Sequence, residues 1–560
     1  MRTEFSRFLT LGLVSLVICA PKALATDVSG TLSSDTMWSA SGSPYVVTGA
    51  ILVEEGVTLT VEAGVEVRFE TDTYIKVNGE VVARGTSSSK IKFTSSKDTP
   101  AKDDWGYIRL IGTSLSVDGS DEYVSGTIFE HCILEYSTGG IKFEESSKAF
   151  IDNCTLSNNS TGVSYNSMAS SMIRNSTFHS NGSGINSYSI TGSYSARSMS
   201  GSKIKNNEFY SNTGSAIMGG GYMVNASSNL YLGNTVRDNG GWAMSFGSGD
   251  VVSGFQDNTI KGNTIYNNTT GGIYISDNGN VITENKIFNN GTGIGTDHGD
   301  QTLTISYNVI SGNTTGIEMN NGWYASGEGI QIKYNQMLNN DKSVVIKGNG
   351  SYQPRNLQFE NNLIVGTTSD PLVDISAGSG HTFSNNNFIS SSGLIIKNQT
   401  AEAVTAENNW WGVTTASGIS DLVEDYYDDF ELGKVDYGTA LSSLNISAPV
   451  AVPINVVKAS TEAGVRVSWS ENNESDIAGY KIHYGSGTGY SYTTTVDAGN
   501  VTSYEISGLS SSDEVAVTAY DGNADGTDDQ VEGYQSWFVV SGDAAPSISL
   551  TKGAISSGSF

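Results

Sequence analysis

Three short stretches bring together residue types that do chemistry. "TDHGD" sets Asp297, His298 and Asp300 side by side. Two carboxylates can act as acid and base on a glycosidic bond, and a histidine can carry a proton. Asp and His also suit turns for backbone reasons alone, so a decorated turn is the plain alternative. "DGNADGTDDQVE" fits the acidic loop D-x-N-x-D-G-x5-E through Asp521, Asn523, Asp525, Gly526 and Glu532. Such a loop gathers oxygens around calcium, with glycine at the sharp turn. Here Asp528 stands where an apolar anchor is usual, and strand patterns flank the loop. An acidic hairpin is therefore the alternative, and calcium would bind at about 10⁻⁴–10⁻³ M. "FEHCILEYS" and "IDNCTLSNN" align Cys132 with Cys154, 22 residues apart. Strands stacked about 4.8 Å apart lie within disulfide reach. The pair is thus either a disulfide or two small residues in an inward ladder. Nothing near either thiol marks a base that would make it a nucleophile.

The elements that must position these residues repeat. "FIDNCTLSNN" places Cys154, "MIRNSTFHSN" Ser176 and "KIKNNEFYSN" Asn207. "TIKGNTIYNN", "VITENKIFNN" and "TISYNVISGN" place Asn263, Asn285 and Asn308; later phrases place Asn335, Asn362, Asn386 and Asn408. Each unit reads apolar-x-x-Asn-x-apolar, then Asn, then Gly-apolar. A period of about 20 to 30 residues with short strands and no helix pattern means a solenoid. One coil cannot bury its apolar residues alone; stacked coils can. The Asn positions fall at corners, where side-chain amides can bond up and down a column.

Composition agrees. Gly numbers 65 and Pro only 8, while charged residues make up 16% of 560. Arg2 and Arg7, the apolar run "FLTLGLVSLVICA" and "ALA" read as an export leader over residues 1–25. No later apolar run is long enough to span a bilayer, so no membrane insertion is expected. The formal charge is −28. Removing a leader with three basic residues and one acidic takes it to about −30, which argues against nucleic acid and anionic membrane as partners. The same sign argues, less strongly, against unassisted binding of polyuronic acids. The expected location is outside the cell, on its surface, or in the periplasm. The N-x-S/T triplets follow from Asn, Ser and Thr abundance alone.

The array over roughly residues 45–440 resembles the right-handed parallel β-helix proteins, which include pectate lyases and other polysaccharide-acting families. The resemblance implies an all-β fold and leaves function open, because this scaffold hosts lyases, hydrolases, epimerases, adhesins and tailspikes. After "SAPVAVPIN" the pattern changes to alternating strands with turn breaks. Trp469, Tyr480, Tyr484, Leu509 and Tyr520 resemble the framework of a fibronectin type III sandwich. The expected order is leader 1–25, β-helix 26–446, linker 447–454, fibronectin type III domain 455–543 and tail 544–560.

Matching Ile273, Ile294 and Ile317 across coils puts Asp277 one coil before His298 and Asn321 one coil after. Glu318, Trp323 and Tyr324 then fall beside Asp297 and Asp300, and Tyr222 and Phe246 end the corresponding segments of earlier coils. The set describes a groove of carboxylates, one histidine and aromatic platforms, suited to a polysaccharide. Mannuronan epimerases of this fold carry D-P-H-D; Asp297-His298-Gly299-Asp300 lacks the proline. The polygalacturonase phrases are absent. The reading is therefore a glycan-binding or adhesive protein, with a polysaccharide lyase, hydrolase or epimerase, or a surface spacer, as alternatives.

Overall fold

The computed structural model describes residues 25–166, 169–187, 199–220, 226–247, 255–276, 278–296, 302–321, 329–348, 353–366, 371–390, 393–486 and 490–543. Each coil consists of three short strands, so the coils stack into three parallel faces. The coil from residue 259 shows the plan. Thr259–Lys261 lies on the first face, Thr264–Tyr266 on the second and Gly271–Ile275 on the third. Their neighbours one coil on are Val281–Thr283, Lys286–Phe288 and Thr292–Thr296, paired in parallel. The first face runs without a break through 16 strands, from Thr36–Trp38 to Val435–Asp436.

The register explains the repeat. Ile260, Ile282, Ile305 and Ile332 stack in one inward column. Ile265, Ile287 and Ile310 form a second column, and Ile273, Ile294 and Ile317 a third. All of them are fully buried. At about 1.5–3 kcal/mol per buried isoleucine, three per coil offset only a fraction of an ordering cost of about 1–2 kcal/mol per residue, and the corner asparagines and other buried side chains add to them.

The corners are built from a left-handed residue followed by a buried asparagine. Gly262, Glu284, Tyr307 and Tyr334 take positive φ at the first corner, directly before Asn263, Asn285, Asn308 and Asn335. Asn263 Oδ1 accepts from the backbone N–H of Asn234 at 2.8 Å and from its Nδ2 at 2.9 Å. Asn263 Nδ2 in turn donates to the Tyr231 carbonyl at 3.0 Å and to Asn285 Oδ1 at 2.9 Å. A second ladder runs through Asn181, Asn212, Asn239, Asn268, Asn290 and Asn313 at the next corner. One register differs from the sequence reading: the first ladder ends in Asn409, while Asn408 is the left-handed residue before it. In "ENNWWG" two asparagines meet, and both corner positions favour asparagine.

Cys132 and Cys154 are buried, free thiols. They hold the first places in the ladder column: the Cys132 N–H donates to Cys154 Sγ at 3.4 Å, and the Cys154 N–H to Ser176 Oγ at 3.0 Å. The disulfide expected as one alternative is not formed; the pair sits as small residues in the inward ladder.

The C-terminal unit is a sandwich of two four-stranded sheets. One orders Ser503–Ser507, Gly464–Ser470, Ile454–Ser460 and Gly542–Asp543; the other orders Tyr492–Gly499, Ile477–Ser486, Val515–Asp521 and Val539–Val540. Val467, Trp469, Tyr480, Ile482, Val515 and Val517 fill its core. The sandwich is seated on the second face of the solenoid. There the outward residues Tyr266, Phe288, Val309, Leu338 and Leu363 are buried together with Ala451, Val531 and Trp537. The Gln336 side chain locks the seat. It donates to the Gln530 carbonyl at 2.6 Å and accepts from the Trp537 N–H at 3.2 Å. The segment 447–454 carries buried Ala448, Val450 and Ala451.

Candidate functional site

The strands that lead into the expected groove are the third-face strands Gly271–Ile275, Thr292–Thr296 and Thr315–Asn321, with Ile273, Ile294 and Ile317 in register. Asp277, Asp297, His298, Asp300, Tyr222, Trp323 and Tyr324 lie outside the described residues. Of the expected groove residues, Glu318 and Phe246 are described. Glu318 points outward beside Gly295 and pairs with Lys347 at 2.9 Å. Phe246 is a correction: it points inward, is fully buried, and packs 4.9 Å from Tyr231. It fills space over Gly219, whose missing side chain leaves room for the ring.

Two aromatic residues that the sequence reading passed over occupy this face instead. Trp242 and Tyr274 project outward, half-buried, with ring centroids 5.3 Å apart. Three glycines make their space. A Cβ on Gly271 would collide with the indole; one on Gly295 would lie 3.0 Å from Trp242 Cη2; one on Gly247 would lie 3.0 Å from Tyr274 Cε1. The indole therefore lies flat along the solenoid, across the next two coils. The signal was present in "GGWAMSFG", "GGIYI" and "GTGIGT", where glycine replaces a side chain at outward positions.

Beyond this shelf the face carries paired charges. Lys342 bonds Asp374 at 2.6 Å, Gln399 bonds the other oxygen of Asp374 at 2.6 Å, and Lys397 pairs with Glu424 at 3.0 Å. Toward the N-terminal end, Tyr74 and Tyr107 form another ring pair at 5.4 Å, with the Lys142 ammonium 4.8 Å from the Tyr107 ring. Five coil steps separate the strand of Tyr107 from that of Trp242. That is about 24 Å at ~4.8 Å per step. The arrangement can hold an extended, hydroxyl-rich chain: aromatic faces for its C–H surfaces, charged pairs for its hydroxyls.

The acidic loop is self-contained. Asp521 Oδ1 accepts from the Asn523 N–H at 2.8 Å, and Asp525 Oδ1 from the Thr527 N–H at 2.8 Å. Asp529, which was not among the expected ligands, closes the loop by accepting from the N–H groups of Asp525 and Gly526. Burial and neighbouring carboxylates push the Glu532 pKa up. Among the described residues, no cluster of three or more His, Cys, Asp or Glu side chains is placed to hold a metal ion.

Comparison with protein families gives two matches. A pectate-lyase-like beta helix domain matches residues 30–128, and a right handed beta helix region matches 113–253, 189–322 and 247–388 in overlapping stretches. The chain belongs to the right-handed parallel β-helix proteins. Among curated proteins none matches this β-helix chain. Among solved structures it is similar to the A-module of a mannuronan C-5 epimerase from Azotobacter vinelandii: 14% identity, 70% of this chain and 91% of that one, TM-score 0.29. It is also similar to a periplasmic alginate epimerase (14%, 71% and 78%, TM-score 0.25). A tailspike protein of an E. coli bacteriophage, solved with a pentasaccharide, aligns at 12% over 84% of each chain, TM-score 0.32. No helix among the described residues of the β-helix protein is long and apolar enough to cross a membrane.

Proposed function

We propose that the chain is an exported glycan-binding protein that holds an extended polysaccharide along the third face of its β-helix. The observation that carries this reading is the Trp242–Tyr274 shelf, opened by Gly247, Gly271 and Gly295. The glycines let both rings lie flat along the wall while each keeps part of its surface in solvent. The polysaccharide class follows from geometry, since the binding surface is a strip of stacked coils rather than an enclosed pocket.

Retention of the mature protein on a panel of neutral and acidic polysaccharides tests it. Trp242→Ala and Gly295→Val, the second of which displaces the indole, are each expected to weaken retention about tenfold, near 1.4 kcal/mol. Their melting should stay close to that of the parent. Unchanged retention in both would sink the reading. Chain cleavage in the same assay that disappears in His298→Ala would instead make the protein a polysaccharide-active enzyme, with Asp297, His298 and Asp300 in catalysis. No retention on any polysaccharide would leave the spacer. The sandwich is proposed as a fibronectin type III module. Calcium belongs to the proposal as well: Asp521, Asn523, Asp525 and Glu532 are the side chains that would hold it. A calcium titration of the full chain by calorimetry checks this.

A further inference from the structure

A second concave site lies on another face, where the sandwich meets the second face of the solenoid. It is an open cleft of about 510 Å³. Lys286, an outward residue of the solenoid strand Lys286–Phe288, forms one wall; Tyr490, Tyr492 and Phe538 of the sandwich form another. The Tyr490 and Phe538 rings stack in parallel with centroids 5.8 Å apart, and Tyr492 meets Phe538 at 5.0 Å. The Lys286 ammonium makes one side-chain hydrogen bond, to Gln530 Oε1 at 3.3 Å, and among the described residues no carboxylate pairs with it. The ammonium also lies 5.9 Å from the centre of the Trp537 ring, and it lines the open cleft. Burial lowers its pKa, opposed by the nearby Asp528. On the sandwich side Lys481 is already engaged, by Gln535 at 2.7 Å and Asp529 at 3.4 Å.

We propose that this cleft is a second carbohydrate site, which takes a neutral hexose unit between the Tyr490–Phe538 wall and Lys286. Pockets with aromatic walls and a few convergent polar groups recur at domain junctions. Lys286 supplies donors and Asp528 supplies acceptors, the pairing that hydroxyl groups require. Neutrality follows from charge. Lys286 and Lys481 are matched within the cleft by Asp528 and Asp529, and the whole chain carries −28. A uronate would therefore add an unmatched negative charge. The site does not rest on the third-face reading, and each can fail without the other.

Calorimetric titration of the full chain with cello-, laminari-, malto- and mannotetraose, and with a tetragalacturonate, tests the proposal. At least one neutral tetraose is expected to bind, and more tightly than the uronate. In a Trp242→Ala background, which removes the third-face shelf, that binding should persist, and adding Lys286→Gln or Phe538→Ala should weaken it about tenfold. Ser491 is exposed at the mouth, so Ser491→Arg should block the cleft without disturbing the fold, which covers the case of an unfolded Lys286 variant. The proposal is overturned if no neutral tetraose binds or if the uronate binds as tightly. It is equally overturned if, in the Trp242→Ala background, binding survives Ser491→Arg, or if Trp242→Ala alone abolishes it.

Discussion

A single buried asparagine serves several backbone groups in different coils, and this makes it more consequential than its size suggests. In Asn263→Ala the Asn234 N–H and the Tyr231 carbonyl both lose their side-chain partner inside the wall. Stranded buried polar groups cost about 1–3 kcal/mol each, so a loss of about 3 kcal/mol is expected. Calorimetric melting should show it clearly, while Thr269→Ala, at an exposed position of the same coil, should leave the melt within a degree or two. Equal effects would mean that the ladder is ornamental. Histidines give a second residue-scale prediction. Burial lowers His483 to about 4, helped by the Lys481 charge, and burial lowers His381 to about 4. The unfolded chain takes up these protons near 6.5. Their stabilising contribution is therefore complete above pH 6.5 and is lost as pH falls toward 4, by about 1.4 kcal/mol per unit for each group. Between pH 6.5 and 5, where most carboxylates stay ionised, the melting temperature of His483→Gln should fall less steeply than that of the parent. Parallel slopes would refute the assignment.

Strands show what periodicity can and cannot reveal. The inward isoleucine columns and the Asn corners were legible because they recur in every coil. The seat of the sandwich was not, although its residues were in plain view. In "TIYNN", "KIFNN", "QML" and "NLIVG" the second-face strands carry an outward apolar residue, while the earlier "TLS", "TFH" and "TVR" do not. An outward apolar residue in one coil is ordinary; a column of them across successive coils is a contact surface, and only the register turns one into the other. The Trp242–Tyr274 shelf was hidden for a related reason: its evidence is missing side chains at Gly271 and Gly295, and glycine is everywhere in this chain. Phe246 was misplaced because the end of a third-face strand alternates in and out, so one position decides between groove and core. The seat itself is testable. The Trp537 ring packs on Phe288 at 5.8 Å, while the bond that its backbone N–H donates to Gln336 survives truncation of the ring. Trp537→Ala should release the sandwich enough to speed proteolysis within residues 442–453. Cleavage at the parent rate would mean that the remaining contacts hold the seat unaided.

At the scale of the whole molecule, stacking makes stability one-dimensional: each coil touches only its neighbours, and opening proceeds from ends. The first described strand, Thr26–Leu32, pairs on one side with Tyr45–Val53, and the last, Val435–Asp436, on one side with Val404–Thr405. Most strands of the three faces between them are paired on both sides, while Thr36–Trp38 and Val423–Glu424, also at the ends, are paired on one. Ion pairs join coils as well: Arg174 to Asp152, Arg109 to Glu144, Lys347 to Glu318 and Lys342 to Asp374. Basic residues are thus spent neutralising acids a coil or two away, and the excess negative charge counted in the sequence says nothing about where a ligand would sit. The seated sandwich adds a further constraint, because it covers the coils from Tyr266 to Leu363 and not those before them. Hydrogen exchange should therefore be slowest in the strands from Thr264–Tyr266 to Leu363–Gly366, faster by at least tenfold in the coils before residue 166, and fastest in Val423–Glu424 and Val435–Asp436. Trp537→Ala should erase the difference between the covered and uncovered coils while leaving the ends as they were. Uniform protection along the solenoid would show instead that the coils melt as one unit, and that the sandwich rides on the solenoid without bracing it.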